Sequence, residues 1–520
     1  MARDLSSTEN GGRSMRRRMA IAAAAALGLA AATAACGPGE SGTKADDGVL
    51  KVGATFAQTT LDPARLPLRQ MAMYTAPLYD SLTFLASDES VEPLLATEWR
   101  PGSDGKGPYL DMTLRDGLKF PDGTPFTSKT VAANVKRSQT LKGSTNAPQL
   151  AGVTVEERGT SEVRFRSAAG VGALPRVLSG SAGQMISDKA IADGADLTRA
   201  AAGIGPFTLQ RVQANRVVYT ATKGYWDQKA AAAGTLEIDY LADDAKLNAV
   251  RSGDLDVSIL PEKMIKSAES AGYKIERSMG SENYVFSFNT AMKPFDDIRV
   301  RRAVNSALDR EAICKGLLDG RCEPNGQFFG AGTKAYDKGV GLKLVPYDIE
   351  KAKSLVKEAG ATGAKVEIVT VAGNQVFEQL ATIVQEQLKA IGLTATVSAV
   401  APPQVVSRFT AEKNVAMAFG ATGNAFDPSD TLDRYGLAKG LYNPGGFKNA
   451  EVEKLAKSAL RETDQAERMK IYQRISSLIT EGMLYVPVLT PETAYVIAPG
   501  VSGWKAPWAP SFPSFRGVKG

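Results

Sequence analysis

Between Val366 and Phe419 the chain alternates in a pattern that few folds accommodate. Val366 to Val371 reads as a strand, Asn374 to Ile391 as an amphipathic helix, and Thr394 to Ala399 as a second strand. Pro402 to Ala411 then reads as a helix and Val415 to Phe419 as a third strand. This order predicts an α/β chain with a mostly parallel sheet covered by helices. Upstream, Leu236 to Leu241, Asp243 to Arg251 and Asp256 to Leu260 form one more β-α-β unit, and a helix is expected from Asp296 to Asp309. Val49 to Phe56 alternates as a strand with Leu50, Val52 and Ala54 on one face. Elements between Tyr74 and Ala202 are short: strands at Leu110 to Leu114 and Val163 to Phe165, and a helix capped near Thr127 that runs through Val131 and Val135. That stretch predicts a small α+β domain. Helices Asn449 to Glu462 and Asp464 to Glu481 lead into a strand from Leu484 to Leu489.

The first residues belong to no fold. Arg16, Arg17 and Arg18 precede an alanine-rich run from Met19 to Ala35, 17 residues long, which is shorter than the roughly 20 residues of a membrane-spanning helix. Thr33-Ala34-Ala35-Cys36 resembles the lipobox of bacterial lipoproteins, which makes 1–35 a signal peptide and Cys36 the lipidated N-terminus. Residues 36–47, polar and containing Gly and Ser, then serve as a tether. The expected location is the outer face of the cytoplasmic membrane. Ser14 ahead of the arginine pair leaves both general and twin-arginine export open, and either Met1 or Met15 can be the start.

Composition removes many activities. The chain has no histidine, so it lacks the base of a Ser-His-Asp or Cys-His arrangement and every His-dependent zinc site. Beyond the leader it carries 57 basic and 54 acidic residues, a net +3, with no footprint for nucleic acid. Cys314 and Cys322, eight positions apart in an oxidising compartment, are expected to form a disulfide. Gly203-Ile204-Gly205-Pro206 lacks the third glycine of a dinucleotide fingerprint and reads as a turn. Ser354 and Lys357 satisfy Ser-x-x-Lys only as part of an amphipathic helix. No cofactor and no metal site are expected.

Ligands of open α/β sheets bind beyond the carboxyl ends of the strands. At that end of the last strand of the alternating run lies the segment Gly420 to Asp430, which mixes glycines, Phe426 and several hydrogen-bonding side chains as a small-molecule pocket does. A solvated loop with the same composition is the plain alternative. Trp504 and Trp508, set among prolines in the tail, read as packing residues.

Nine motifs from about residue 48 onward resemble, in order, the family 5 peptide/nickel-type solute-binding proteins of ABC importers. They are Leu61-Asp62-Pro63-Ala64, Leu78-Tyr79-Asp80-Ser81-Leu82, Pro93 to Trp99, Leu114 to Phe120, Asp122 to Thr127, Gly205-Pro206-Phe207 with Tyr225-Trp226, Phe288-Asn289-Thr290, Pro294 to Ala303, and Leu308-Asp309-Arg310. The resemblance implies a type II periplasmic-binding fold of two hinged lobes with an extra small α+β domain. Lobe I would comprise 48–73, 204–283 and 491–520, the extra domain 74–203 and lobe II 284–490. It also implies a peptide or similar polar solute, ABC permease subunits with their ATPase as partners, a monomer by default, and no bond making or breaking.

In peptide-binding relatives the loop matching Gly420 to Asp430 reads Gly-Trp-x-x-Asp, and its aspartate pairs with the peptide ammonium. Here the matching residues are Ala421 and Asn424, so that anchor is weakened unless Asp427 or Asp430 replaces it. The candidate ligand residues are Gln58, Thr59, Ser287, Ala421, Thr422, Asn424, Phe426 and Asp427. A receptor for a glycan or metal chelate remains an alternative, as does a carboxylate-dependent cell-surface hydrolase, whose two acids need no histidine.

Overall fold

The computed structural model describes residues 48–67, 69–423, 425–509 and 512–520. The expected signal peptide, Cys36, the tether and Asn424 lie outside the described residues. Among the described residues no helix is long and apolar enough to cross a membrane.

The strand Val49–Ala54 pairs in parallel with Thr235–Tyr240 and Val257–Ile259. Its alternation turns Leu50, Val52 and Ala54 into a core with Leu236, Ile238 and Val257. The tail residues Tyr495, Ile497, Trp504, Phe515 and Val518 complete that core, so both ends of the described chain close on one body. Each fully buried side chain of this size contributes roughly 1.5–3 kcal/mol.

A second body holds the antiparallel strands Ala96–Asp104, Gly107–Leu114, Glu162–Ser167 and Val153–Arg158. The helix Ser128–Thr140 packs on it through Val131 and Val135, against Leu110, Met112 and Phe165. Thr127 starts this helix from extended backbone, and its N–H donates to Thr130 Oγ1 at 3.3 Å. The sequence motifs tie the two bodies together. Arg137 of this helix donates to both oxygens of Asp62, at 3.0 and 2.6 Å. Asp80 receives the Tyr225 hydroxyl, the Trp226 indole N–H at 3.3 Å and Arg516 at 3.1 Å.

The third body contains the alternating run. Strand Lys365–Val371 pairs in parallel with Thr394–Val400 and with Met417–Thr422, and the helix Gln375–Ala390 covers it with Leu380, Ala381, Val384 and Leu388. Two expectations need correction. The sheet is mixed rather than mostly parallel, because Asn283–Phe288 enters antiparallel between Met417–Thr422 and the final strand. That final strand does not stop at Leu489; it runs Tyr485–Ile497. Its first half pairs with Asn283–Phe288 and Cys322–Pro324, its second half with Lys274–Met279 and Val257–Ile259. A 12-stranded sheet therefore passes continuously from the first body to the third. The two segments that cross, 279–283 and 489–492, lie side by side, the arrangement of a hinge. Next to them Cys314 and Cys322 are joined, with S–S 2.03 Å. The turn they close presents Arg321, which pairs with Glu262 of the first body and accepts the Glu492 N–H on its carbonyl at 3.2 Å.

Candidate functional site

The strand Met417–Thr422 ends where Gly423 takes φ +103°. A Cβ there would stand 2.1 Å from the Ser281 carbonyl oxygen, so this turn requires glycine. The backbone then reaches Asp427, which caps the short helix Pro428–Thr431 by accepting the Ser429 N–H at 2.9 Å.

Asp427 is 1% exposed and Arg468 0%. Arg468, on the helix Gln465–Glu481, holds both carboxylate oxygens at 2.5 and 2.6 Å. It also donates to the Ala459 carbonyl at 2.8 Å and the Tyr472 hydroxyl at 3.0 Å. Burial alone would push the Asp427 carboxyl up, but the charge and hydrogen bonds of Arg468, with Arg176 at 3.9 Å, hold it below the ordinary carboxylate value. Asp427, expected from sequence as a substitute counter-ion for a ligand ammonium, has its charge matched from within by Arg468.

Across from this loop stands a residue pair from the second body. Arg176 donates to Glu89 Oε2 at 2.8 Å and to the Glu89 carbonyl at 3.2 Å, and its Nε reaches the Phe426 carbonyl at 2.9 Å. The other Glu89 oxygen accepts the Lys334 N–H at 2.6 Å. Glu89 has φ +64°, a backbone few side chains adopt. The first body contributes its tail: the Phe512 ring packs tilted against Phe426 with centroids 4.0 Å apart, and the Trp508 indole donates to the Gly332 carbonyl at 3.2 Å. Gly180 leaves room for the Phe426 ring, which a Cβ would meet at 2.4 Å.

All three bodies thus meet around one narrow cavity of about 20 Å³. Its apolar walls include Phe328, Phe329 and Trp508, its hydroxyls Thr333, Thr422 and Thr431, and its charged side chains Glu89 and Arg176. Of the residues singled out from sequence, Thr422 lines it. Ala421 receives the Tyr435 hydroxyl on its carbonyl at 3.4 Å, while Phe426 packs behind the wall. Gln58 donates to the Thr198 carbonyl at 3.0 Å and Thr59 contacts the Met71 sulfur at 3.2 Å, both in the first body. Ser287 is buried in its strand opposite Ala418 and Tyr485; Ser281, six positions earlier, is the serine at the cavity. Trp504 packs in the core as expected, but Trp508 is a wall residue. No spacing rule could have found Glu89, Arg176 or Trp508, because each reaches the site only through tertiary structure; the isolated tryptophan among prolines was the one signal available.

A family model for bacterial extracellular solute-binding proteins, family 5 Middle, matches residues 90–443. The glutathione-binding protein GsiB of Salmonella typhi is 25% identical over 499 residues, covering 92% of this chain and 95% of its own. Among solved structures, the ABC transporter substrate-binding protein CtaP of Listeria monocytogenes aligns with a TM-score of 0.79 at 21% identity, over 91% of this chain and 99% of its own. DppA from Helicobacter pylori, solved with the peptide STSA, aligns with a TM-score of 0.77 at 21% identity, over 91% of this chain and 98% of its own. The fold is accordingly the type II periplasmic-binding fold, two lobes with an added α+β domain.

Proposed function

The chain belongs to the bacterial extracellular solute-binding proteins of family 5, the solute-binding components of ABC importers, and from that premise we propose that it is a lipid-anchored receptor for a peptide or similar polar solute. The solute enters between lobe I (48–73, 204–283 and 491–520) and lobe II (284–490), with the extra domain (74–203) as the third wall. The lobes close about the paired crossing segments, and the closed form is handed to the permease and its ATPase. The supporting observation is the cavity itself, whose walls come from Glu89 and Arg176, from Thr422 and Phe328, and from Trp508. Residues of all three bodies line this cavity, and burial with a few placed hydrogen bonds is how small solutes are held.

Cys36 would tether the receptor to the outer face of the cytoplasmic membrane, in keeping with the small residues Thr33-Ala34-Ala35 before it. Replacing it, Cys36→Ser, is expected to move the protein from the membrane fraction to the soluble extracytoplasmic fraction; continued membrane retention would remove the anchor from this reading. Solute is tested by native mass spectrometry of the chain purified without refolding. A co-purified mass that fragments as a peptide supports the peptide assignment, and a sugar or chelate mass replaces it.

A further inference from the structure

The charges around the cavity cancel in pairs. Glu89 is 6% exposed, and its two carboxylate oxygens are taken by Arg176 at 2.8 Å and the Lys334 N–H at 2.6 Å. Arg176 spends its remaining strong contacts on two carbonyls, those of Glu89 and Phe426. The next charges outward, Asp427 and Arg468, form a second closed pair with two hydrogen bonds. A carboxylate or ammonium brought into this space would lose its water and find no unpaired counter-charge among the lining side chains, which is the costly way to bury an ion.

A neutral polar group meets a different surface. Thr422 is 3% exposed, lines the cavity, and its hydroxyl has no hydrogen-bond partner among the described residues. Buried hydroxyls in native proteins are nearly always partnered, and leaving one unmade costs more than making it gains. Phe328, Phe329 and Trp508 line the same cavity, so a small uncharged hydrogen-bonding group can satisfy Thr422 against otherwise apolar walls. Strand pairing makes Thr422 a rigid anchor, since it is held in register with Asn283 at the end of Met417–Thr422.

We propose that this cavity receives an uncharged hydrogen-bonding end of the solute, an amide, a carbonyl or a hydroxyl, held by the Thr422 hydroxyl between Phe328, Phe329 and Trp508. The inference rests on the solute-receptor reading and deepens it: the solute class is one with a neutral end, such as a blocked or cyclised peptide or a neutral sugar.

The test uses the full-length chain in detergent with three probe pools: tripeptides with free termini, the same tripeptides N-acetylated and C-amidated, and neutral disaccharides. Affinities are measured by calorimetric titration. The expected result is that members of the second or third pool bind at least about tenfold tighter than every free-terminus peptide. Thr422→Val should weaken the best probe roughly five- to tenfold, the scale of one hydrogen bond, and Thr422→Ser should restore it. Equal or tighter binding of free-terminus peptides overturns the inference and leaves the receptor role standing. An unchanged affinity in a folded Thr422→Val chain also overturns it, and the comparison of pools on the natural chain holds whether or not that variant folds. Binding from none of the pools overturns the inference, while the receptor role is decided separately by the co-purified mass.

Discussion

Asp427 has sequence neighbours that suggest a ligand contact and tertiary neighbours that give it another task. With both its oxygens on Arg468, it fixes the loop behind the cavity rather than reaching into it. Removing one member of a fully buried pair leaves an uncompensated charge, so Arg468→Met should destabilise the protein by about 3–5 kcal/mol in urea unfolding. The pH dependence separates the two chains. In the natural protein the Asp427 carboxyl is held below its ordinary value of 3.8, so its stabilisation is present above that value and is lost as pH falls through the depressed one. In Arg468→Met burial is opposed only by Arg176 at 3.9 Å and the Ser429 N–H, so the carboxyl rises and the loss of stability on acidification should shrink. A pH profile that is the same in both chains contradicts this account of Asp427. Tyr225, Trp226 and Asp80 teach the same lesson from the other direction, since three residues of recognisable motifs are bound to one another and serve as scaffold.

Among the elements, strands and helices with a clean period were legible and their pairing partners were not. The alternation of Leu50, Val52 and Ala54 and the apolar face of Gln375–Ala390 follow from spacing, because each buries one face in a local core. The continuation of Tyr485–Ile497 through Pro487 and Pro491 did not follow, since proline argues against a central strand. Direction of pairing was invisible as well: Asn283–Phe288 is antiparallel because the chain returns from the first body, a fact of topology rather than of pattern. The loop Gly420 to Asp430 was legible as a site region, yet Glu89 and Arg176 had no signal in sequence, being brought to it from the extra domain. Two glycines in this region make opposite predictions. Gly423→Ala forces a Cβ against the Ser281 carbonyl at φ +103° and should cost at least about 1–3 kcal/mol, with loss of solute affinity. Gly420→Ala, where nothing lies within 4 Å of an added Cβ, should leave stability unchanged or raise it by up to about 1 kcal/mol. Equal thermal shifts for the two would show that the turn is not held as described.

At the scale of the whole molecule, the continuous sheet supplies the hinge and the extra domain supplies the latch. The crossing segments 279–283, a break between two strands, and 489–492, within the final strand, run side by side and can bend together while the cores on either side stay intact. Closure is then decided by what meets at the far side: Arg176 on the Phe426 carbonyl, Glu89 on the Lys334 N–H, Trp508 on the Gly332 carbonyl, and Gly172 with Leu460 and Gln465. These contacts bury charged pairs that water solvates well when the lobes are apart, so a bound solute is needed to tip the balance. Small-angle X-ray scattering of the full-length chain in detergent, stripped of its co-purified solute and then titrated with it, tests this most directly. A larger radius of gyration is expected for the stripped chain, with a saturable decrease on titration; an unchanged radius, with binding confirmed by calorimetry, would contradict capture by closure of two lobes.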